Sequence, residues 1–456
     1  MENQENLSAV DRLYGLSLIW REAKYNFAFF YRVPDLDWDA AYREFIPQVI
    51  SAEDLFTYYD LLSRFTALLK DGHTLVLSPK SLYLSLDRPK LMLMNVQGMP
   101  VVTNASDDIG SRVPVGSQLL EIDGIDAREY LSMHIAPAVC ETTRHRLLDQ
   151  ATARLLLGPQ GSQVKCKFHT PDGNTIEVEL LRNRRMDPDP WLRTSQVPGP
   201  WEFRFFDEWF YDEAPFSSFI FRKLDGNVSY IALNSFMDQT VPASFTEKLA
   251  DIRQSSGLIL DLRKNHGGSD DVGYSIAAHF LIQPTETMPV RSPQNIAFYR
   301  ASGVSLKDTP PEKIADLSER AREQLLCFRN QWYYEEHWGP IQPAQEILPL
   351  PTVLLTDSET GSAAEDFIMA FESGKGEATR IGSGTAGSTG QPLIQELPGG
   401  GGFAICTIRM PWPEEVWQKG IEPDISVEPT IEDIIKNKDR ALETAVSYLC
   451  GAKVSI

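Results

Sequence analysis

Apolar positions recur at helical spacing through the first part of the chain. In three successive stretches, every third or fourth residue is apolar, which places these side chains on one face of a helix. They are Leu13, Leu16, Trp20, Ala23 and Phe27; Trp38, Tyr42, Phe45 and Val49; and Leu55, Tyr58, Leu62, Phe65 and Leu69. The third helix is expected to start at Ser51, with Asp54 as its capping partner. Residues 70–72 break the pattern and a strand at 73–77 follows, so residues 1–84 are predicted to form a helical domain.

Residues 85–183 carry short alternating runs separated by turn residues, a pattern typical of β-strands. Val164–Phe168 and Ile176–Leu180 alternate between apolar and polar positions, and Pro171–Asn174 between them predicts a hairpin turn. The stretch resembles a PDZ-like domain, a kind of domain that captures peptide ends as an added strand. The alternative is a structural spacer.

From residue 226 onward, the pattern changes to α/β. Val228–Leu233, Gly257–Leu262 and Pro351–Thr356 are nearly continuous apolar runs, as expected of buried parallel strands. Phe245–Arg253 predicts a helix between the first two. Thr430, with Asp433 as its partner, predicts the cap of a final helix that runs to about Leu449.

Two further segments interrupt this organisation. Residues 184–225 are rich in proline, tryptophan and charge and are interpreted as a bridge. Residues 296–346 contain two adjacent prolines and many charges and are interpreted as an insertion within the α/β domain.

The net charge of the chain excludes some classes of binding partner. The formal net charge is −20, which argues against nucleic acid and anionic membranes, because phosphate binding needs a basic face. The chain contains no run of about 18 apolar residues, so no membrane span is predicted.

The polar N-terminus lacks the features of a secretory signal, so a cytoplasmic location is expected, with a trimmed signal as the alternative. Five scattered cysteines, an odd number without metal spacing, indicate free thiols in a reducing compartment.

Ser362 is the first candidate for chemistry. An apolar strand ends at Thr356, a turn with Gly361 follows, and a helix begins with Ala363 and Ala364. The free amides and the dipole at a helix N-terminus can stabilise an oxyanion or a polarised nucleophile. The alternative is an ordinary serine N-cap.

Two glycine-containing loops are further candidates. In Asp261–Gly268, adjacent Gly267 and Gly268 can let backbone N–H groups point into a cleft, as an oxyanion hole requires. The alternative is an ordinary strand-to-helix turn, with Asp261 and Arg263 as a structural ion pair. The loop Gly382–Gln391 could cradle phosphate, but it lacks the Lys-Ser/Thr ending of a P-loop, which favours a loop that flanks substrate.

A serine nucleophile needs a base. Among the seven histidines, His73 lies in a turn before a strand and His266 lies in the glycine turn. Residue type alone leaves a structural role open for both.

Taken together, these motifs resemble the tail-specific, or C-terminal-processing, serine peptidases. Asp261–Gly268 matches the D-L-R-x-N-x-G-G signature and Ser362–Glu365 the S-A-x-E segment. Gly382–Gln391 resembles the family's glycine loop, and Gly420–Asp424 resembles its G-x-x-P-D segment.

The resemblance implies a multidomain α+β fold. Its parts are an N-terminal helical bundle over 1–84, a PDZ-like β domain over 85–183, a bridge over 184–225 and a C-terminal α/β peptidase domain of the ClpP/crotonase type over 226–456.

The chain departs from the family at the base. Processing peptidases use a Ser–Lys dyad with the lysine in the glycine loop, whereas here Lys375 and Lys419 fall outside the matching position. The segment Asp71–Thr74 looks like the histidine motif of the tricorn branch, so the resemblance implies His73 as the base.

The third catalytic member is left open. The tricorn core has a serine before its histidine, where this chain has Gly72, and an acid before the late glycine, where this chain has Trp417. Glu415 and Glu422 are the acidic candidates.

The resemblance implies a serine endopeptidase. His73 would take the proton of Ser362, an acyl-enzyme would form, and the amides of Gly268 and Ala363 would hold the oxyanion. No metal or other cofactor is expected. The expected partners are peptides or unfolded proteins, with an oligomer left open. The alternatives are a non-catalytic protein that binds peptides or apolar ligands, and a hydrolase of small esters.

Overall fold

The computed structural model of the protein describes residues 7–185, 217–374 and 378–451. Most of the predicted bridge, 184–225, and Lys375 lie outside the described residues. The described chain divides into two compact units. Unit 1 draws on Met1–Pro79, Thr287–Gly339 and Thr389–Trp412, and unit 2 on Lys80–Glu286, Pro340–Ser388 and Pro413–Ile456.

The helices are numbered in chain order. They are α1 (Ala9–Asn26), α2 (Trp38–Ile50), α3 (Leu55–Ala67), α4 (Lys80–Ser85), α5 (Asp107–Gly110), α6 (Ala127–Tyr130), α7 (Arg144–Arg154), α8 (Val241–Glu247), α9 (Leu249–Arg253), α10 (Asp270–Ala277), α11 (Ala297–Gly303), α12 (Glu319–Phe328), α13 (Ala363–Ser373), α14 (Glu414–Lys419), α15 (Ile431–Ile435) and α16 (Arg440–Leu449). Along the described ranges, none of them combines the length and apolarity needed to cross a membrane.

The strands are numbered in the same way. They are β1 (Leu75–Leu77), β2 (Leu86–Asp87), β3 (Leu91–Val96), β4 (Met99–Ala105), β5 (Gln118–Ile122), β6 (Ile125–Asp126), β7 (Gly158–Pro159), β8 (Gln163–His169), β9 (Thr175–Leu181), β10 (Phe219–Leu224), β11 (Val228–Leu233), β12 (Gly257–Asp261), β13 (Thr285–Glu286), β14 (Val290–Pro293), β15 (Tyr333–Glu336), β16 (Pro340–Ile341), β17 (Thr352–Thr356), β18 (Ala378–Gly382), β19 (Pro392–Leu397), β20 (Gly401–Cys406) and β21 (Ile425–Ser426).

Unit 1 contains the N-terminal helices α1, α2 and α3 and the three-stranded sheet β1-β20-β19. The predicted start of the third helix at Ser51 is wrong. Asp54 is extended, with φ −142°, and its side chain accepts the N–H of Thr57, so Asp54 is itself the N-cap and the helix begins at Leu55. Most of the predicted insertion, 296–346, lies in this unit, as α11, α12 and the strand β15, which pairs with β14 just before the predicted insertion.

The first part of unit 2 is an antiparallel sheet in the order β3-β4-β5-β8-β9, with the short β6 beside β5. The predicted hairpin is confirmed, because β8 and β9 pair from His169 and Thr175 outward. Helix α7 packs beside the edge strand β3. A buried apolar cluster that includes Leu93, Ala151 and Phe168 joins the helix to the sheet.

The second part of unit 2 is a six-stranded sheet in the order β10-β11-β12-β17-β18-β21. All neighbours except the antiparallel pair β10-β11 are parallel. Alternate strand residues pack on opposite faces. Leu258 and Leu354 join a core that includes α8, α9, α10 and α13, whereas Ile259 and Val353 pack against α16. The three predicted buried strands are confirmed.

Two helix predictions in unit 2 are wrong. Phe245–Arg253 is divided between α8 and α9, and Thr430 caps only the short α15. The final helix, α16, is separate from α15. Asn437, which lies between the two helices, adopts φ +49° and breaks the helical path, and Asp439 then caps α16. The coarse fold class, a mixed α/β protein with N-terminal helices, is confirmed.

Candidate active site

Ser362 occupies a strained position at the start of a helix. It lies six residues after β17 and directly before α13, with φ +56° and ψ −131°. A positive φ is unfavourable for a residue with a Cβ, and strained residues cluster at functional sites. Its N–H donates to the carbonyl of Ser388 at 2.8 Å, and its carbonyl accepts the N–H of Glu365 at 2.7 Å. These bonds hold the half-buried serine in this conformation.

The turn before Ser362 is anchored to the turn that follows β12. Thr360 donates its hydroxyl to the carbonyl of Leu262 at 3.0 Å, and the N–H of Gly361 donates to the carbonyl of Asn265 at 3.0 Å. The nucleophile motif and the D-L-R-x-N-x-G-G motif therefore meet through backbone contacts.

Gly267 contacts Ser362 directly. It has φ +95°, and a Cβ there would lie 2.5 Å from the Cβ of Ser362 and 2.9 Å from the nitrogen of Ala363. Its N–H donates to Oδ1 of Asn265 at 2.9 Å, and its carbonyl accepts the N–H of Phe236 at 3.0 Å. Only glycine satisfies both the backbone angle and this close approach.

Two backbone amides adjoin these contacts, those of Ala363 and Gly268. Ala363 is the first residue of α13, where an N–H has no acceptor within the helix. Gly268 lies opposite Phe236 in an isolated β-bridge. The two hydrogen bonds of this bridge are made by the carbonyl of Gly267 and the N–H of Ser269, and they do not use the N–H of Gly268. The predicted residues Ser362, Ala363 and Gly268 all belong to unit 2, and Gly267 joins them.

Asp261 and Arg263 form an ion pair, as one reading of the sequence anticipated. Nη2 of Arg263 lies 2.6 Å from Asp261 and 2.8 Å from Asp439, and Tyr230 donates its hydroxyl to Asp261 at 2.8 Å. Burial opposes ionisation of Asp261, but the guanidinium of Arg263 outweighs it, so the pKa of Asp261 is lowered. This pair ties the end of β12 to α16.

Glu365 connects α13 to the glycine loop. Its buried carboxylate accepts the hydroxyl of Thr385 and the N–H groups of Gly387 at 2.8 Å and Ser388 at 2.9 Å. Burial raises the pKa of Glu365 to about 7, although these hydrogen bonds oppose the rise. Ser388 is the residue whose carbonyl holds the N–H of Ser362, so Glu365 positions that contact. In the sequence, Glu365 stands out only as the last residue of the S-A-x-E segment.

The G-x-x-P-D segment closes on the same loop. The N–H of Ile421 donates to the hydroxyl of Thr385 at 2.7 Å. Trp417 is buried in unit 2, whereas Glu415 and Glu422 are exposed, and Glu422 lies 3.8 Å from Lys419.

His73 belongs to unit 1. Its backbone N–H donates to the buried carboxylate of Asp71 at 3.2 Å, and the next residue, Thr74, accepts the N–H of Cys406 at 3.0 Å. Burial lowers the pKa of His73, partly opposed by the charge of Asp71. A lowered pKa favours the neutral imidazole that can accept a proton.

Metal ligands are not clustered in the described ranges, where no group of three histidine, cysteine, aspartate or glutamate side chains could hold an ion.

Comparisons with known proteins place this geometry in a class. Residues 227–427 match the model of peptidase family S41, and these residues contain the strained serine and both glycine loops. The chain is similar to a carboxyl-terminal-processing protease of Picosynechococcus sp., with 22% identity over 409 residues, 85% of this chain and 77% of that protein. The chain is therefore a serine peptidase, and residues 227–427 are the part that matches the S41 model.

Solved structures agree in fold. The crystal structure of mature CPAF has a TM-score of 0.69 at 16% identity and covers 98% of this chain and 99% of its own. A putative peptidase from Parabacteroides merdae has a TM-score of 0.51 at 18% identity and covers 97% of both chains. The predicted relationship to C-terminal-processing serine peptidases is confirmed.

Proposed function

We propose that this serine peptidase is an endopeptidase that hydrolyses peptide bonds through an acyl-enzyme on Ser362, with His73 as the general base. The observation that carries the proposal is the conformation of Ser362. Its Cβ lies against Gly267, its N–H is held by Ser388, and the free amide of Ala363 follows it.

The proposed reaction follows from these groups. His73 takes the proton from the hydroxyl of Ser362 as the oxygen attacks the peptide carbonyl. The amides of Gly268 and Ala363 stabilise the negative charge on the carbonyl oxygen. The protonated imidazole then gives its proton to the leaving amine, and water hydrolyses the ester on Ser362.

The choice of histidine rests on the composition of the glycine loop. Gly382–Gln391 contains no lysine, so a Ser–Lys dyad has no candidate there. The lowered pKa of His73 keeps its imidazole neutral, and therefore able to accept a proton, at neutral pH. Glu415 and Glu422 are the residues to test as a third member.

The β-rich part of unit 2 is proposed to act as a PDZ-like domain that delivers or gates substrate. Its support is the edge position of β3 with α7 beside it, since an exposed strand edge can pair with an extended peptide. The proposal also includes a ClpP/crotonase-like character of residues 226–456 and a division of the chain into residues 1–84, 85–183, 184–225 and 226–456. A cytoplasmic location, with peptides or unfolded proteins as substrates, completes it.

The test is labelling with a fluorophosphonate probe, followed by mapping of the modified peptide. The parent should be labelled at Ser362, Ser362→Ala and His73→Ala should not, and the exposed control His337→Ala should behave as the parent. Loss of labelling counts only where circular dichroism shows a folded variant.

Other results would support other functions. A folded parent that does not react, but binds peptide equally well after Ser362→Ala, would indicate a binding protein. Labelling at Ser362 together with turnover of activated esters and no cleavage of peptides would indicate a small-ester hydrolase.

A further inference from the structure

One helix of the β-rich part reaches three segments of the candidate site. On α7, His145 places Nε2 2.7 Å from the carbonyl of Thr385 in the glycine loop. Asp149 accepts the hydroxyl of Ser358, in the turn before Ser362, at 2.5 Å. Between these two anchors α7 carries Arg146, which is 5% exposed. All of these residues belong to unit 2.

Arg146 contacts the turn that carries the oxyanion amide. Its Nη2 lies 3.3 Å from Nδ1 of His266, the residue before Gly267. A guanidinium has donors only, so Nδ1 of His266 is the acceptor and its proton lies on Nε2. This hydrogen bond also removes Nδ1 of His266 from competition as a general base.

Arg146 also faces the turn that carries the nucleophile. Its Nη1 lies 4.0 Å from Oε1 of Glu359, three residues before Ser362, and its Nε lies 3.6 Å from Oε1 of Glu141. Glu359 is 2% exposed, and its other oxygen lies 3.3 Å from Nζ of Lys264. A carboxylate so deeply buried requires compensating charge, so the geometry of this turn depends on the two cations.

We propose that Arg146 is a positioning residue that fixes the nucleophile turn and the oxyanion turn relative to each other. The proposal rests on the proposed function of Ser362. A hydroxyl and an amide must act on one carbonyl group, and a displacement of about 1 Å can lower the rate about 100-fold. Arg146 contacts neither reacting atom and acts through Glu359 and His266.

A merely structural role would lower stability but leave the kinetics of the folded fraction unchanged. A positioning role lowers kcat, since it acts after substrate is bound, and leaves KM close to the parent value. Lysine keeps the charge facing Glu359 but loses the planar fork that also reaches His266, so Arg146→Lys should recover part of the loss.

The experiment compares Arg146→Met, Arg146→Lys and the control Arg144→Met, an exposed arginine on the same helix. The readouts are kcat and KM on one peptide, the rate of fluorophosphonate labelling and thermal unfolding. In folded Arg146→Met, kcat and the labelling rate should both fall about 10- to 100-fold, KM should change less than about 2-fold, and Arg144→Met should match the parent.

A folded Arg146→Met with parental kcat, or with a raised KM alone, would overturn the positioning role while labelling of parental Ser362 keeps the proposed function. If Arg146→Met does not fold, parental kcat in both Arg146→Lys and His266→Ala would overturn it instead. A folded parent that is not labelled at Ser362 would overturn the proposed function and this inference with it.

Discussion

Two loops touch the backbone around Ser362, and they are stabilised in different ways. The turn Asn265–Gly268 is held by its own asparagine, by backbone and by one arginine: Asn265 accepts the N–H of Gly267, the N–H of Phe236 donates to the Gly267 carbonyl, and Arg146 donates to His266. The glycine loop is held by groups outside the loop, namely the carboxylate of Glu365, the N–H of Ile421 and Nε2 of His145.

The difference indicates where each loop is vulnerable. The first turn depends on the absence of a side chain at one position, so adding a methyl group should disrupt it. The second has the buried Glu365 carboxylate as the acceptor of three of its hydrogen bonds, so changing the hydrogen-bonding capacity of that group should disrupt it. The following predictions run from the largest expected effect to the smallest.

Gly267→Ala tests the first turn. The added Cβ would lie 2.5 Å from the Cβ of Ser362, and alanine disfavours φ +95°. We expect kcat/KM to fall about 100-fold or more and the free energy of unfolding to fall by about 1–3 kcal/mol. Gly98→Ala is the control, because Gly98 has φ +78° and a methyl group added there would have no atom within 4 Å. Near-parental activity of Gly267→Ala would contradict the role given to this contact.

Glu365→Gln tests the second loop. Each carboxylate oxygen accepts one backbone N–H, whereas glutamine offers one acceptor oxygen, so one buried amide loses its partner. We expect the unfolding free energy to fall by about 1–3 kcal/mol and kcat to fall about 10- to 100-fold. Glu372→Gln, at an exposed position of the same helix, should retain kcat. Equal losses in both variants would argue against a specific role for Glu365.

Asn265→Ala weakens the first turn without adding bulk. It removes the side-chain acceptor of the Gly267 N–H, and we expect about a 10-fold loss in kcat/KM from a loosened turn. Asn234→Ala removes another buried asparagine of unit 2, which donates to the carbonyl of Ser217. It should lower the melting temperature but spare kcat. If both variants lose kcat alike, the effect is general destabilisation.

The pH dependence of stability comes last, because its expected effect is on unfolding and not on catalysis. The folded-state pKa of Glu365 is raised from 4.5 to about 7, so the folded protein binds more protons than the unfolded chain between these values. The unfolding free energy should therefore fall as pH rises from about 4.5 to about 7, by at most about 1.4 kcal/mol per pH unit for this group. Urea unfolding at several pH values should show a shallower fall in Glu365→Gln, and an unchanged slope would contradict the shift.

The site was predictable where function depends on residues close together in sequence. Ser362 before a helix, the paired glycines and the Asp261–Arg263 pair each follow from a short segment. The importance of Glu365 could be predicted, because it is the glutamate of the S-A-x-E motif. The motif does not show which loop the carboxylate binds. Arg146 carries no motif signal, because the two turns that it contacts, at His266 and Glu359, lie more than 100 residues away.

The fold, too, was predictable only where it depends on local sequence. Continuous apolar runs determined the buried strands of unit 2, because burial on both faces of a parallel sheet requires them. Helix boundaries were less predictable: Asn437 at φ +49° separates α15 from α16, and no periodicity reveals that angle.

The sequence by itself determined the strands, the glycine turns and the class of chemistry, since each depends on backbone preferences and burial within a few residues. Tertiary structure alone decided that unit 1 draws on three separate stretches of chain, that Glu365 holds the glycine loop and that Arg146 links two turns. These are contacts between distant segments. Their formation depends on how the whole chain packs and on the energetic need to pair buried charges and amides, which no local pattern encodes.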